Sequence, residues 1–435
     1  MAQDFKITMK FSHYKPQKVR LTHFFEDKQY LDIDSAQQNG NTVWFEGEGE
    51  LYPGIYSIIL EGDDRQSFEI LVDHDNQFMT LKCDVQDIQK TMKVTGSEIN
   101  SRFFDYQRSM TDFHRRRADL DSAKKKILDT TGGRIPDSSK AKVYDDQIDK
   151  ITDQIKQFCA KTIAENKGNF LADMLDCMDA SDLPLEEMYE HINFAQKGLI
   201  RTPFLYKALF KHIARGIEQS HYEIMRQSDM LINRAKEDDD MYHYISGYLL
   251  NFYRTFFKGG INEVFVHLAD KYFLSDKDLP PQNREMIQQQ RDIYASSIVG
   301  NLAHPVRMRK TVEGDSINIL DDHDILFVMF WSNGCGHCDA AEKVLMENYD
   351  GLTKADIKII TVNNDKHSYE TLRANTVKKD FPWLDVCDAE DTSRYREYYY
   401  VVSTPILYVI NSKNRIIQKA VGEDQIEEVV MQMKK

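Results

Sequence analysis

Hydrophobic and polar positions change their spacing twice along this chain. Up to about residue 96 they alternate in short runs. Phe5-Lys6-Ile7-Thr8-Met9-Lys10-Phe11 and Lys18-Val19-Arg20-Leu21-Thr22-His23-Phe24 carry the two-residue period of a strand with one buried face. Thr42-Val43-Trp44-Phe45-Glu46-Gly47 and the runs 55–60, 68–72 and 78–81 continue it, and Asn39-Gly40 and Pro53-Gly54 punctuate it as turns. Residues 1–96 therefore predict a compact antiparallel β-sandwich. No catalytic signature falls in it, so a structural or docking module is the expectation, with a ligand-binding sandwich as the alternative.

Residues 97–297 adopt helical spacing. Ser97-Glu98-Ile99-Asn100 is a helix start. Ile148, Ile151, Ile155, Phe158, Cys159 and Ile163 form one apolar stripe. Gly132-Gly133-Arg134-Ile135-Pro136 breaks the preceding helix, so two long helices are expected to fold back as a hairpin. Further helices are expected around residues 203–206, from Met241 to Phe257, and over 262–272. No fixed-period repeat marks a solenoid. Arg115-Arg116-Arg117 and Lys124-Lys125-Lys126 are flanked by acidic residues, which reads as a solvated helix face rather than an anion site. Cys159 and Cys177 fall on apolar helix faces and read as buried thiols. The tyrosines and phenylalanines around Tyr242, Tyr244, Phe252 and Tyr253 read as core or groove lining.

From Ile298 the pattern changes again. Ile325-Leu326-Phe327-Val328-Met329 reads as a buried strand and Asp339 to Met346 as a helix. Strands follow at 357–363 and 406–410, then a turn at 411–414, the run 415–422 and an amphipathic helix from Gln425 to Met433. Strand–helix–strand followed by a hairpin and a helix predicts an α/β domain. The fold class is therefore multidomain α+β: a β-sandwich over 1–96, an α-helical domain over 97–297 and an α/β domain over 298–435.

The candidate chemistry lies between the strand and the helix of that last domain, in Phe330-Trp331-Ser332-Asn333-Gly334-Cys335-Gly336-His337-Cys338. The first turn of a helix offers unpaired N–H groups and the positive end of the macrodipole. A thiolate there is stabilised and becomes a nucleophile near neutral pH. The i, i+3 spacing brings both sulfurs within disulfide reach, so the pair can cycle between dithiol and disulfide. A Cys-x-x-Cys can also be half of a zinc site, which needs a second ligand pair. There is no second Cys-x-x-Cys, and Cys83, Cys159, Cys177 and Cys387 are scattered singly. His367 and Cys387 have no ligand spacing. Redox chemistry with no metal is the reading taken.

Residues 298–435 resemble the thioredoxin-like domain of the TlpA/ResA group of extracytoplasmic thiol–disulfide oxidoreductases. The resemblance is carried by Val299-Gly300-Asn301-Leu302-Ala303-His304-Pro305, Gly314-Asp315-Ser316-Ile317-Asn318-Ile319-Leu320, the cysteine motif, and Ser403-Thr404-Pro405 with the strand after it. It implies that Cys335 is the exposed attacking thiol and Cys338 the buried resolving thiol. Thr404-Pro405 is then the cis-proline segment that faces them and binds substrate backbone. Trp331 matches the tryptophan these domains carry before the active site. The long segment between Cys338 and Pro405 leaves room for the group's additional helix and strand. The upstream regions resemble the small β-domain and the helical domain that precede such domains in Bacteroidota proteins. Two positions depart from the pattern. Met329 stands where many thioredoxins have a buried aspartate that assists proton transfer, and Gly334 stands where a tryptophan is usual. Gly336 and His337 fill the dipeptide between the cysteines. An imidazole there stabilises a neighbouring thiolate and makes the disulfide more oxidising. The alternative is an exposed His337 with no redox role.

Length and charge bound the rest. The chain's 435 residues suggest about three domains. A formal net charge of −14 argues against nucleic acid or an anionic membrane as partner. No apolar run approaches membrane-spanning length. The chain opens Met1-Ala2-Gln3-Asp4-Phe5 and runs straight into strand-like sequence, as an initiator Met fused to a mature N-terminus would. With the resemblance, that gives a periplasmic or cell-envelope expectation, with a cytoplasmic redox regulator as the alternative. The expected function is electron exchange with protein thiols and disulfides plus a redox-recycling partner, without an organic cofactor. A cell-envelope binding or scaffold protein with a subsidiary redox domain is the competing class. Direction of transfer and oligomeric state are not legible in the sequence.

Overall fold

A computed structural model describes residues 4–12, 14–62, 66–129, 138–180, 182–213, 220–255 and 262–434. Ala2-Gln3 and Gly132 to Pro136, used above, lie outside the described residues. The chain forms two compact units, Met1–Glu218 with Met230–Ile245 and Gln219–Asp229 with Ser246–Lys435. The helical stretch 97–297 thus contributes to both.

In the first unit, nine strands among the described residues form two sheets. They are β1 (Phe5–Ser12), β2 (Lys18–Phe25), β3 (Lys28–Ile33), β4 (Gln37–Asn39), β5 (Thr42–Gly47), β6 (Gly54–Glu61), β7 (Gln66–Val72), β8 (Phe78–Asp84) and β9 (Lys93–Thr95). Their orders are β4-β5-β1-β8-β9 and β3-β2-β6-β7. The alternation of β1 is realised directly. Phe5, Ile7, Met9 and Phe11 enter a core shared with Tyr56, Ile58 and Leu60 of the other sheet, the packing of a sandwich. The expected antiparallel pairing holds with one correction: β1 pairs with β8 in parallel. The first and last long strands meet in one sheet after the chain has passed through the other, so no hairpin dictates their direction. The short-range pattern fixes which face is buried but not that pairing.

Ser97 caps the helix Glu98–Leu128 by accepting from the Asn100 amide. That helix packs against Ser138–Glu165 as the expected hairpin. Tyr106 stacks on Phe158 at 5.8 Å, and Lys124 reaches Asp145. The basic runs are engaged with neighbours: Arg115 with Asp112 and Arg117 with Asp121, Arg116 with Gln154. Cys159 and Cys177 are buried free thiols. The helix expected from Met241 spans Asp239–Thr255, and residues 256–257 lie outside the described residues. Tyr244 packs edge-on against Phe25, and Tyr253 is buried. Among the described residues no helix is long and apolar enough to cross a membrane.

In the second unit seven strands among the described residues form one mixed sheet, in the order β11-β10-β14-β13-β12-β15-β16. They are β10 (Arg307–Lys310), β11 (Ser316–Asn318), β12 (Ile325–Trp331), β13 (Ile357–Asn363), β14 (Leu384–Cys387), β15 (Ile406–Asn411) and β16 (Ile416–Val421). β12, β13 and β14 run parallel, whereas β15 is antiparallel to β12. The apolar run in β12 follows from its central place, since a strand covered on both faces needs no alternation. Leu326, Val328 and Phe330 enter one core with Tyr399 and Tyr408. Phe327, Met329 and Trp331 enter the other, with Cys338, Leu345 and Ile426. The additional helix and strand expected between Cys338 and Pro405 are Tyr369–Lys379 and β14.

Candidate active site

β12 ends at Trp331, and the helix Gly336–Lys354 begins after four intervening residues. The turn between them passes through Gly334 at φ 76°, a left-handed conformation that glycine adopts without cost. Cys335 is the N-cap. Its Sγ accepts from the Cys338 amide at 3.2 Å, an N–H of the helix start that it shares with the Cys335 carbonyl at 3.0 Å. Cys335 and Cys338 are joined as a disulfide with Cα atoms 5.2 Å apart. Cys338 is fully buried, while Cys335 lies at the edge of the same core.

The Thr404–Pro405 bond is cis. The Thr404 carbonyl oxygen lies 3.6 Å from Cys335 Sγ, and the Thr404 and Ser332 hydroxyls are 3.3 Å apart. The Gly422 amide donates to the Pro405 carbonyl at 3.0 Å, which ties this segment to the start of the C-terminal helix Glu423–Met433. Gly336 opens the active-site helix with nothing near its absent side chain. The structure thus gathers Cys335, Gly336, Cys338, Thr404 and Pro405 at one place. It directs the other two elsewhere. The exposed His337 ring engages Glu423 (Nδ1 to Oε1, 2.7 Å). The fully buried Trp331 indole donates to Asp385 Oδ1 at 2.8 Å.

Asp385 has no counterpart in the sequence-based expectations. Met329 is opposite Thr361 on β13, and Thr361 is opposite Asp385 on β14. The carboxylate therefore occupies the same cross-strand row as Met329, two strands across, roughly 10 Å away at ordinary strand spacing. It accepts from Trp331, from Thr361 Oγ1 at 2.7 Å and from Thr376 Oγ1 at 2.7 Å. Burial pushes its pKa up to about 6 against the hydrogen-bond donors around it. Its only trace in the sequence is an acid within an otherwise apolar strand.

Glu342 and Lys379 were missed too. Glu342 lies one turn beyond Cys338 on the same helix face and is 5% exposed. Its Oε2 accepts from Lys379 Nζ at 2.6 Å, and its Oε1 has no hydrogen-bond partner among the described residues. Burial raises the Glu342 pKa despite the Lys379 ammonium. Lys379 also bridges to Asp339 and stands 5.2 Å from the Trp331 ring. The i, i+4 offset from Cys338 was the only available signal for Glu342. Lys379 and Glu423 gave none, because other elements bring them to the site.

A mixed sheet with a cysteine pair at a strand-to-helix turn is the arrangement of a thioredoxin-like fold. Residues 322–416 match the family model described as thioredoxin-like. Among curated proteins the chain is similar to sporulation thiol-disulfide oxidoreductase A of Bacillus subtilis. The two are 23% identical over 130 residues, covering 28% of this chain and 75% of the relative. Similar solved structures include a thioredoxin-like protein from Bacteroides caccae, with 15% identity, 58% of this chain and 92% of that one covered, and a TM-score of 0.44. Another is a thiol:disulfide interchange protein from Bacteroides sp., with 21% identity, coverages of 32% and 90%, and a TM-score of 0.29. StoA from Bacillus subtilis gives 19%, 30% and 97%, and 0.27.

Proposed function

We propose that this chain exchanges electron pairs with protein dithiols and disulfides through Cys335 and Cys338, in an extracytoplasmic compartment. The observation that carries the reading is the asymmetry of the pair. Cys335 is half-buried at the edge of the core with a helix-start amide aimed at its sulfur, and Cys338 is closed into the core. A thiolate forms most readily at the first position. Cys335 thiolate attacks a substrate disulfide, forms a mixed disulfide and expels one substrate thiolate. Cys338 then attacks Cys335 Sγ, expels the second substrate thiolate and leaves the Cys335–Cys338 disulfide. In the opposite direction a substrate dithiol reduces that disulfide by the same two exchanges. Thr404 and Pro405 are assigned to substrate backbone, supported by the 3.6 Å approach of the Thr404 carbonyl to Cys335 Sγ. The redox group is the cysteine pair itself, so the exchange needs neither metal nor organic cofactor. A second redox protein that recycles the pair is implied.

The test uses the full chain with Cys338→Ala. A disulfide-bearing model peptide should be trapped as a mixed disulfide on Cys335, and Cys335→Ala should trap none. Failure of Cys338→Ala to trap peptide, with the wild type also inert toward glutathione, overturns the reading. The compartment is tested by the location of the tagged full-length gene product. Recovery from the cytoplasm would favour the intracellular alternative.

A further inference from the structure

The contacts around the disulfide close into a ring. Cys335 Sγ approaches the Thr404 carbonyl, the Pro405 carbonyl accepts from the Gly422 amide, and Glu423, next in sequence, accepts from His337, two residues beyond Cys335. Three other carboxylates of the domain are engaged elsewhere. Asp339 and Glu342 hold Lys379, and Asp365 accepts the Asn333 amide. Glu423 is thus the carboxylate on the imidazole, and the backbone bond at Gly422 sets its place.

We propose that Glu423 is a positioning residue for the redox pair: its carboxylate holds the His337 imidazole away from the Cys335 sulfur and makes the disulfide less oxidising than His337 alone would make it. The proposal rests on the redox function argued above. Reduction adds two electrons and one proton to the disulfide, giving a Cys335 thiolate and a Cys338 thiol. The new negative charge appears two residues from an imidazole whose Nδ1–H is already given to a carboxylate. A carboxylate can only accept, so that nitrogen carries the hydrogen while the contact lasts. The pKa of Glu423 is held below the ordinary carboxylate range, first by its own backbone amide and then by His337. It therefore stays ionised where the thiolate forms. Two effects then act in one direction. The carboxylate competes with the thiolate for the imidazole, and its own charge disfavours a second anion nearby. Less stabilisation of the thiolate means a less oxidising disulfide.

The test equilibrates full-length wild type, Glu423→Gln, His337→Ala and the double variant with glutathione. Glu423→Gln should shift the equilibrium constant three- to tenfold toward the dithiol, which is about 15–30 mV more oxidising. Its Cys335 alkylation transition should move to lower pH. In the His337→Ala background the same change should shift the constant less than twofold, since only the solvent-screened charge remains. Glu423→Asp should fall between wild type and Glu423→Gln. An unchanged or more reducing Glu423→Gln overturns the proposal. So does an equal shift with and without His337, which would make Glu423 a bare charge. A lowered unfolding midpoint with no change in potential would show a structural role only and also overturn it. If wild type fails to equilibrate with glutathione at all, the functional reading itself falls, and that outcome is separate from the others.

Discussion

The Trp331 indole donates to Asp385 across 2.8 Å, joining the strand that carries the cysteine motif to a strand inserted between Cys338 and Pro405. The contact lies wholly inside the domain, and the Thr361 and Thr376 hydroxyls complete it.

Asp385 gives a signed pH dependence. Its native pKa of about 6 lies above the ordinary 3.8. Between those values the native state keeps a proton that the unfolded chain has released. The stability from this group is therefore fully present below about pH 4 and is lost as pH rises through 6, by up to about 3 kcal/mol. Asp385→Asn cannot titrate. The wild-type advantage over Asp385→Asn, measured by denaturant unfolding, should be larger at pH 4 than at pH 7 by that order. A pH-independent difference would refute the assignment.

Lys379→Met should destabilise by about 1–3 kcal/mol, less than a fully buried pair would lose because the lysine is partly solvated. It leaves the Glu342 carboxylate, 5% exposed, without its cation. The deficit should grow from pH 5 to pH 7, because a buried acid with a raised pKa costs more once ionised. Adding Glu342→Gln should recover part of it. Equal unfolding midpoints for wild type and Lys379→Met would show that the pair contributes nothing.

Cys335 should alkylate faster than Cys338 in the reduced protein, with a transition well below the unperturbed value of ~8.5. The grounds are the Cys338 amide on its sulfur and the full burial of Cys338. Rates against pH in wild type and Cys338→Ala provide the measurement. A transition at or above that value, or preferential labelling of Cys338, contradicts the prediction.

Residues 298–435 should fold alone and exchange disulfides with a small model substrate. Both cores of the mixed sheet are built from residue 303 onward, and a chain of this length can bury its own core. Cooperative unfolding of the fragment with activity near that of the full chain is the expected result. An unfolded fragment, or one far slower on the same small substrate, would assign the preceding helices to the active site.

The sequence by itself determined what depends on neighbours along the chain. Alternation in β1 and β2 gave strands with one buried face, and Ser97 gave a helix start. The apolar run 325–329 before Cys-Gly-His-Cys gave a buried strand delivering a cysteine to a helix N-terminus. Each rests on a period or cap within a few residues. Only the tertiary structure decided the rest. The parallel pairing of β1 with β8 joins segments some seventy residues apart in sequence, and no local signal carries strand direction over such a loop. Asp385, Lys379 and Glu423 reach Trp331, Glu342 and His337 from 54, 37 and 86 residues away. A carboxylate two strands across from Met329 leaves no spacing in the sequence, because the sheet register, not the chain, makes them neighbours.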